Sequence, residues 1–324
     1  MLEITQILKE MTDSDLKRSI AVLNLPGANY CEKRAERVVV EGRLEQSCRG
    51  CVTQHIQTGS RLSIEQIHAI IDFFAKEYRT QIITINGRGD PFHPLLKDET
   101  LKKIDYASMH GITSYVFTAG NNLDEETCQF LAEHGVNVMV SLHGNKFIDA
   151  DFFRAREYPT AEAPLQDQAH IAGNLRRLFR VYTESQNQPR QGLTRIGMNY
   201  VVLESDLENS TRLQKLQEAA TNNGMFFVCN TSFTRHTDPV VQLQLEQLAL
   251  RYGNARHTTF VHGRCQMGAG SSATVDYNGE LFRCPYMSGK GDGNITLLSL
   301  DERRAVLERY MHDKEFVCTM RRTK

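Results

Sequence analysis

The sequence predicts an α/β fold built on parallel strands, with a small α+β unit at its C-terminal end. Three observations predict it. Strand-like and helix-like stretches alternate six times between residues 37 and 251, and such alternation demands right-handed parallel crossovers. Glycine closes one unit after another, at Gly87, Gly111, Gly120, Gly135 and Gly144. Beyond about residue 255 the rhythm stops, and two short strands flank Asn278-Gly279, a dipeptide that favours a tight hairpin turn. Six units fit a partial barrel or a doubly wound sheet, and periodicity does not choose between them.

Taken in order, residues 1–35 read as a helical extension ending in a turn at Pro26-Gly27. The β-branched run Val38-Val39-Val40 reads as the end of the first strand. A helix over 63–78 opens with a capping box at Ser63 and Gln66 and sets Ile64, Ile67, Ile70, Ile71 and Phe74 on one face. Strands follow at 81–87, 113–120, 136–144, 195–203 and 225–233. The helices between and after them fall at 95–111, 124–135, 167–185, 207–223 and 238–251. Residues 145–166 hold Pro159 and Pro164, have no sustained period, and read as an insertion or lid-like loop. A last helix covers 301–312. The expected organisation is an extension over 1–35, an α/β part over 36–253 and a C-terminal domain over 254–324.

Composition excludes several classes. The formal net charge is -1, so no global field attracts nucleic acid or a lipid surface. No apolar run approaches the ~20 residues that span a bilayer, and the N-terminus has no apolar signal core. A cytoplasmic chain with no nucleic-acid and no membrane partner is expected. Walker, HExxH, GxSxG and GxGxxG signatures are all absent.

The cysteines carry the chemistry. Of eight, Cys128 lies on the apolar side of a helix and Cys229 inside a strand, where free thiols pack as small hydrophobes. Disulfides are not expected in a cytosolic chain of this size. Cys48 and Cys51 form a Cys-x-x-Cys pair just beyond the Val38–Val40 strand, where two thiolates can converge on one metal or cluster. Cys265, Cys284 and Cys318 group at the other end of the chain. They suit a cluster, a zinc site or, unconnected, a core.

Unusual turns follow the strands: Gly87-Arg88-Gly89-Asp90-Pro91, then Thr118 to Asn122 (TAGNN), then Ser141 to Gly144 (SLHG). Ligands of parallel α/β folds sit at such strand ends. Glycines there let backbone approach a ligand, and Asp90 offers a carboxylate to an amine. His143 is the histidine best placed to act in a site.

Together with Cys-x-x-Cys, these turns resemble the radical S-adenosylmethionine (AdoMet) enzymes over roughly residues 36–235. That resemblance implies a partial (β/α)6 TIM-type barrel with a 4Fe-4S cluster held by the loop after its first strand. Cys265, thirteen residues, Gly279, four residues and Cys284 are similar to the SPASM or twitch auxiliary-cluster domain, with Cys318 as a third ligand. On this likeness Gly87, Gly89 and Asp90 hold AdoMet. Ser141 and Asn199 touch its ribose or carboxylate, unless they only hydrogen-bond inside the barrel.

Two positions depart from the family pattern. Leu44 stands where the first cluster cysteine is expected, and Arg321 where a fourth auxiliary ligand is expected. Cys31, thirteen residues upstream of Leu44, is the leading substitute, ahead of Glu45 and His55.

The implied activity is reductive cleavage of AdoMet to a 5′-deoxyadenosyl radical that abstracts hydrogen from a substrate. A peptide or protein side chain ranks above a small molecule, and an electron donor such as flavodoxin or ferredoxin is implied. The 35 residues before the α/β part are too short for a leader-peptide-binding domain. The rival readings are a degenerate barrel that binds without turnover and a zinc-stabilised barrel.

Overall fold

The computed structural model describes residues 19–32, 37–40, 43–46, 59–142, 166–185, 195–231, 238–253, 260–261, 264–265, 270–287 and 289–313. Its centre is an eight-stranded sheet in the order β12-β11-β1-β4-β5-β6-β7-β8. Six of these strands are β1 (Val22–Asn24), β4 (Ile82–Ile85), β5 (Thr113–Thr118), β6 (Asn137–Ser141), β7 (Ile196–Val202) and β8 (Phe226–Thr231). Each pairs in parallel with the next. Helices intervene: α1 (Ile64–Tyr78), α2 (Lys97–Met109), α3 (Glu125–Glu133), α4 (Gln166–Glu184), α5 (Ser205–Glu208), α6 (Thr211–Asn222) and, after β8, α7 (Pro239–Tyr252). This is the partial (β/α)6 barrel, and it has the expected six units.

The first unit is not the expected one. Arg37–Val40 does form a strand, β2, but it pairs antiparallel with β3 (Arg43–Gln46) in a two-stranded sheet of its own. The strand that starts the barrel is β1, inside the stretch assigned to an N-terminal extension. Ser19 to Leu25 is buried throughout. A short apolar run buried on both faces has no alternation to betray it, and Pro26 ends it after three paired residues.

The sheet also crosses the boundary expected near residue 253. Strand β11 (Ser272–Val275) pairs in parallel with β1, and β12 (Leu281–Phe282) returns antiparallel to β11. The Asn278-Gly279 turn thus forms the predicted hairpin, with Gly279 at φ 90°. A separate pair joins β9 (Phe260–Val261) and β10 (Arg264–Cys265). The last helix, α8 (Leu300–His312), opens with a capping box at Ser299 and Glu302. It lies against α1, with Arg303 over the Phe73 ring at 5.7 Å and Arg304 paired to Glu77 at 2.7 Å.

Apolar residues occupy both faces of the sheet. The outer layer joins Leu23, Ile83, Val116, Val138, Met198 and Phe227 to the helices. The inner layer is Ala21, Val22, Ile82, Tyr115, Met139, Phe226 and Val228. Successive strand residues point to opposite faces, so positions two beyond these also face inward. Those positions are Asn24, Thr84, Ser141 and Asn230, all polar, and Phe117, which packs on the inner layer. Asn199 joins them through its register with Ser141 and Val228. The barrel therefore has an apolar floor and a polar rim on the C-terminal side. Among the described residues no helix is long and apolar enough to cross a membrane.

Candidate functional site

The rim is built from the turns that leave β1, β4 and β5. The chain leaving β1 is tied to β4 by Leu25 N–H donating to Thr84 O at 2.9 Å. It then runs through Tyr30 and Cys31 beside the turn after β4, where Asp90 N–H donates to Tyr30 O at 2.8 Å. Gly89 makes this approach possible. A Cβ there would stand 2.0 Å from Tyr30 O and 2.6 Å from Ala28 O. Glu32 accepts from Asn122 Nδ2 at 2.9 Å, which ties the Cys31 loop to the TAGNN turn as well.

Gly87 differs from Gly89. It adopts φ 83°, which favours glycine, and a Cβ there would meet nothing within 4 Å. One face of this turn is therefore bare backbone beside open space, as a cradle for a small polar ligand requires.

The Asp90 carboxylate is engaged by the chain's own N–H and O–H groups. It is buried and accepts from Phe92 N–H at 3.0 Å, Ala119 N–H at 2.6 Å and the Thr118 hydroxyl at 3.0 Å. It latches the β4 turn to the β5 turn. Burial pushes the Asp90 carboxyl above its ordinary value, against the pull of the Ala119 and Phe92 N–H groups, and Glu32 adds to the rise.

Ser141 and Asn199 stand opposite each other on β6 and β7, both half-buried. Asn199 O accepts from Leu142 N–H at 2.8 Å, and its side-chain oxygen accepts from Asn230 Nδ2 at 2.5 Å. Across the rim, Asn24 accepts from the Thr84 hydroxyl and donates to Ala273 O at 3.1 Å. Asn24, Thr84 and Asn230 were missed in the sequence. Their signal is a polar residue two positions past an inward apolar one, as in Val22-Leu23-Asn24 and Val228-Cys229-Asn230.

Cys31 is half-buried and outside any disulfide. Cys48, Cys51, His143, Cys318 and Arg321 lie outside the described residues. So do nearly all of the 145–166 loop and residues 1–18 of the expected helical extension. Cys265 sits on β10, and Cys284 is buried just beyond β12. Among the described residues no three His, Cys, Asp or Glu side chains gather as a metal site. Cys128 is buried and Cys229 half-buried, and desolvation pushes each thiol up to about 12. Both remain protonated and serve as packing.

No protein-family model matches the chain, and no curated protein matches it. Solved structures do match. Streptococcus suis SuiB bound to precursor peptide SuiA superposes with a TM-score of 0.59 at 13% identity, over 93% of this chain and 68% of that one. SuiB bound to S-adenosylmethionine gives a TM-score of 0.57 at 13% identity, over 93% and 67%. Native anSMEcpe with bound AdoMet and Cp18Cys peptide gives 0.54 at 13% identity, over 87% and 79%. These neighbours are radical SAM enzymes of the SPASM/twitch type, and the fold of this chain is theirs.

Proposed function

We propose that the chain is a radical SAM enzyme whose cluster is held by Cys31, Cys48 and Cys51, and whose substrate is a peptide or protein side chain. The observation that carries this is the course of the chain after β1. The first cysteine of the loop leaving the first barrel strand is Cys31, seven positions past Asn24. Leu44 is not on that loop in the required sense, because it pairs with Val39 inside the hairpin. Arg37 pairs with Gln46, so the chain leaves the hairpin about 5 Å from where it entered. Five residues separate Cys31 from that base and one separates it from Cys48. Counted through the hairpin base, the three thiols form a short ligand loop.

The donor set suits an iron-sulfur cluster, and the bare face of Gly87 suits the amino acid end of AdoMet. When bound, the cluster and AdoMet supply one-electron cleavage of the sulfonium and hydrogen abstraction from the substrate. The chain's own residues bind and orient. Carbonyls of the 87–90 turn accept from the ammonium. Ser141 and Asn199 present a hydroxyl and an amide to the ribose or carboxylate. Tyr115, Met139, Phe226 and Val228 close the floor against water. Cys265, Cys284 and Cys318 hold an auxiliary iron-sulfur cluster, and a flavodoxin or ferredoxin delivers the electron. A peptide substrate is favoured because SuiB is solved with a precursor peptide and anSMEcpe with the Cp18Cys peptide.

The test is anaerobic reconstitution followed by iron and sulfide analysis and a 5′-deoxyadenosine assay with AdoMet and dithionite. Iron-loaded protein that forms 5′-deoxyadenosine supports the reading. Cys31→Ala is expected to abolish the AdoMet-perturbed EPR signal, and an unchanged signal rejects the ligand assignment. Iron-loaded protein without product identifies a binding barrel. Zinc in place of iron ends the proposal.

A further inference from the structure

The turn after β4 is joined to the C-terminal hairpin by one side chain. Arg88 leaves the turn between Gly87 and Gly89 and reaches Asp276, at the end of β11. Its Nε lies 3.0 and 3.2 Å from the two Asp276 carboxylate oxygens, and its Nη2 lies 2.9 Å from Oδ2. Nη2 also donates to Met287 O at 2.5 Å, and the guanidinium stands 5.9 Å from the Phe282 ring centroid. The arginine and aspartate side chains are 1% and 7% exposed. Asp276 is held in turn by Tyr277 N–H at 2.8 Å. Met287 N–H donates to Cys284 O at 3.1 Å, so Arg88 also grips the turn that carries Cys284.

A planar fork that meets a carboxylate through two nitrogens sets direction as well as distance. Both neighbours of Arg88 are glycines, whose backbone has little torsional preference of its own. The side chain therefore helps set the peptide planes on either side of it, alongside the Asp90 N–H bond to Tyr30 O and the Asp90 carboxylate latch. We infer that Arg88 is a positioning residue: its bond to Asp276 sets the turn that receives AdoMet, so that AdoMet affinity depends on the docked C-terminal hairpin. This rests on the reading that the 87–90 turn binds AdoMet. Coupling of this kind is reciprocal, so AdoMet in turn steadies the hairpin and the segment bearing Cys284.

The experiment measures AdoMet binding to the full chain by equilibrium dialysis, with thermal unfolding recorded for each protein. Arg88→Met leaves Asp276 buried without its partner and is expected to lose stability and affinity together. The informative protein is Arg88→Met/Asp276→Leu, because replacing both charges with apolar side chains is tolerated in a well-packed interior. It is expected to melt near the parent yet bind AdoMet about tenfold more weakly. The control is Arg283→Met. Arg283 is another buried arginine, just past β12, paired to Asp313 at 2.8 Å rather than to the carboxylate that holds Arg88. It is expected to lose stability while AdoMet affinity stays within about twofold. A double variant that melts and binds like the parent overturns the inference and leaves the proposed function standing. A parent chain that binds no AdoMet overturns the proposed function, and this inference with it.

Discussion

Single residues at the β4 turn do more than their sequence context suggests. GRGDP invites the idea of a carboxylate offered to an amine, yet Asp90 faces Phe92, Thr118 and Ala119. An unfolded aspartate titrates near 4. The folded one titrates higher, so the native state holds the extra proton between the two values. Native stability linked to Asp90 is therefore fully present at low pH and falls as pH rises through the raised value. Asp90→Asn removes an acceptor and is expected to cost about 1–3 kcal/mol. The gap to the parent in urea unfolding should be widest near pH 4 and narrow toward neutrality. A gap independent of pH contradicts the assignment. At Gly89 the obstacle is steric. A methyl at 2.0 Å from Tyr30 O cannot be accommodated without moving the Cys31 loop. Gly89→Ala is expected to lose about 1–3 kcal/mol in the same assay and, with it, iron retention by the reconstituted protein.

At the scale of elements, the strong periodic signals were legible and the short ones were not. The Ser63 capping box, the glycines after α2, α3 and α6 and the Asn278-Gly279 hairpin all lie where local chemistry dictates. These are contacts between near neighbours in sequence, so one chain suffices to read them. Strand β1 was lost because three buried residues show no period. The run 37–40 was correctly read as a strand but given the wrong partner, since strand propensity carries no information about pairing. The expected first ligand fell on Leu44 because the family spacing puts it four residues before Cys48. On the proposed assignment a hairpin interrupts the ligand loop, and linear spacing cannot register a detour that returns to its start. A direct check is Leu44→Cys. It is expected to leave iron content and 5′-deoxyadenosine yield unchanged, whereas a rise in either shows that the loop begins at residue 44. The Arg88–Asp276 pair was equally hidden, because its members are 188 positions apart.

At the scale of the molecule, the sheet joins the two ends of the chain at its centre. Strand β1 lies between β4 and β11, and α8 rests on α1. The boundary expected near residue 253 separates two kinds of sequence pattern but cuts a continuous sheet. A chain ending at residue 253 lacks β11 and leaves β1 with a bare edge, which exposes unpaired backbone groups. Such a truncation is expected to aggregate, and light scattering at rising concentration checks it. A soluble monomer with native-like circular dichroism shows instead that the barrel stands alone. The same arrangement sets an order of events during synthesis. Translation releases the second neighbour of β1 some 250 residues after β1 itself. At about 5–20 residues per second, the nascent barrel spends ten seconds or more with that seam open, so this protein is expected to lean on a chaperone until β11 emerges.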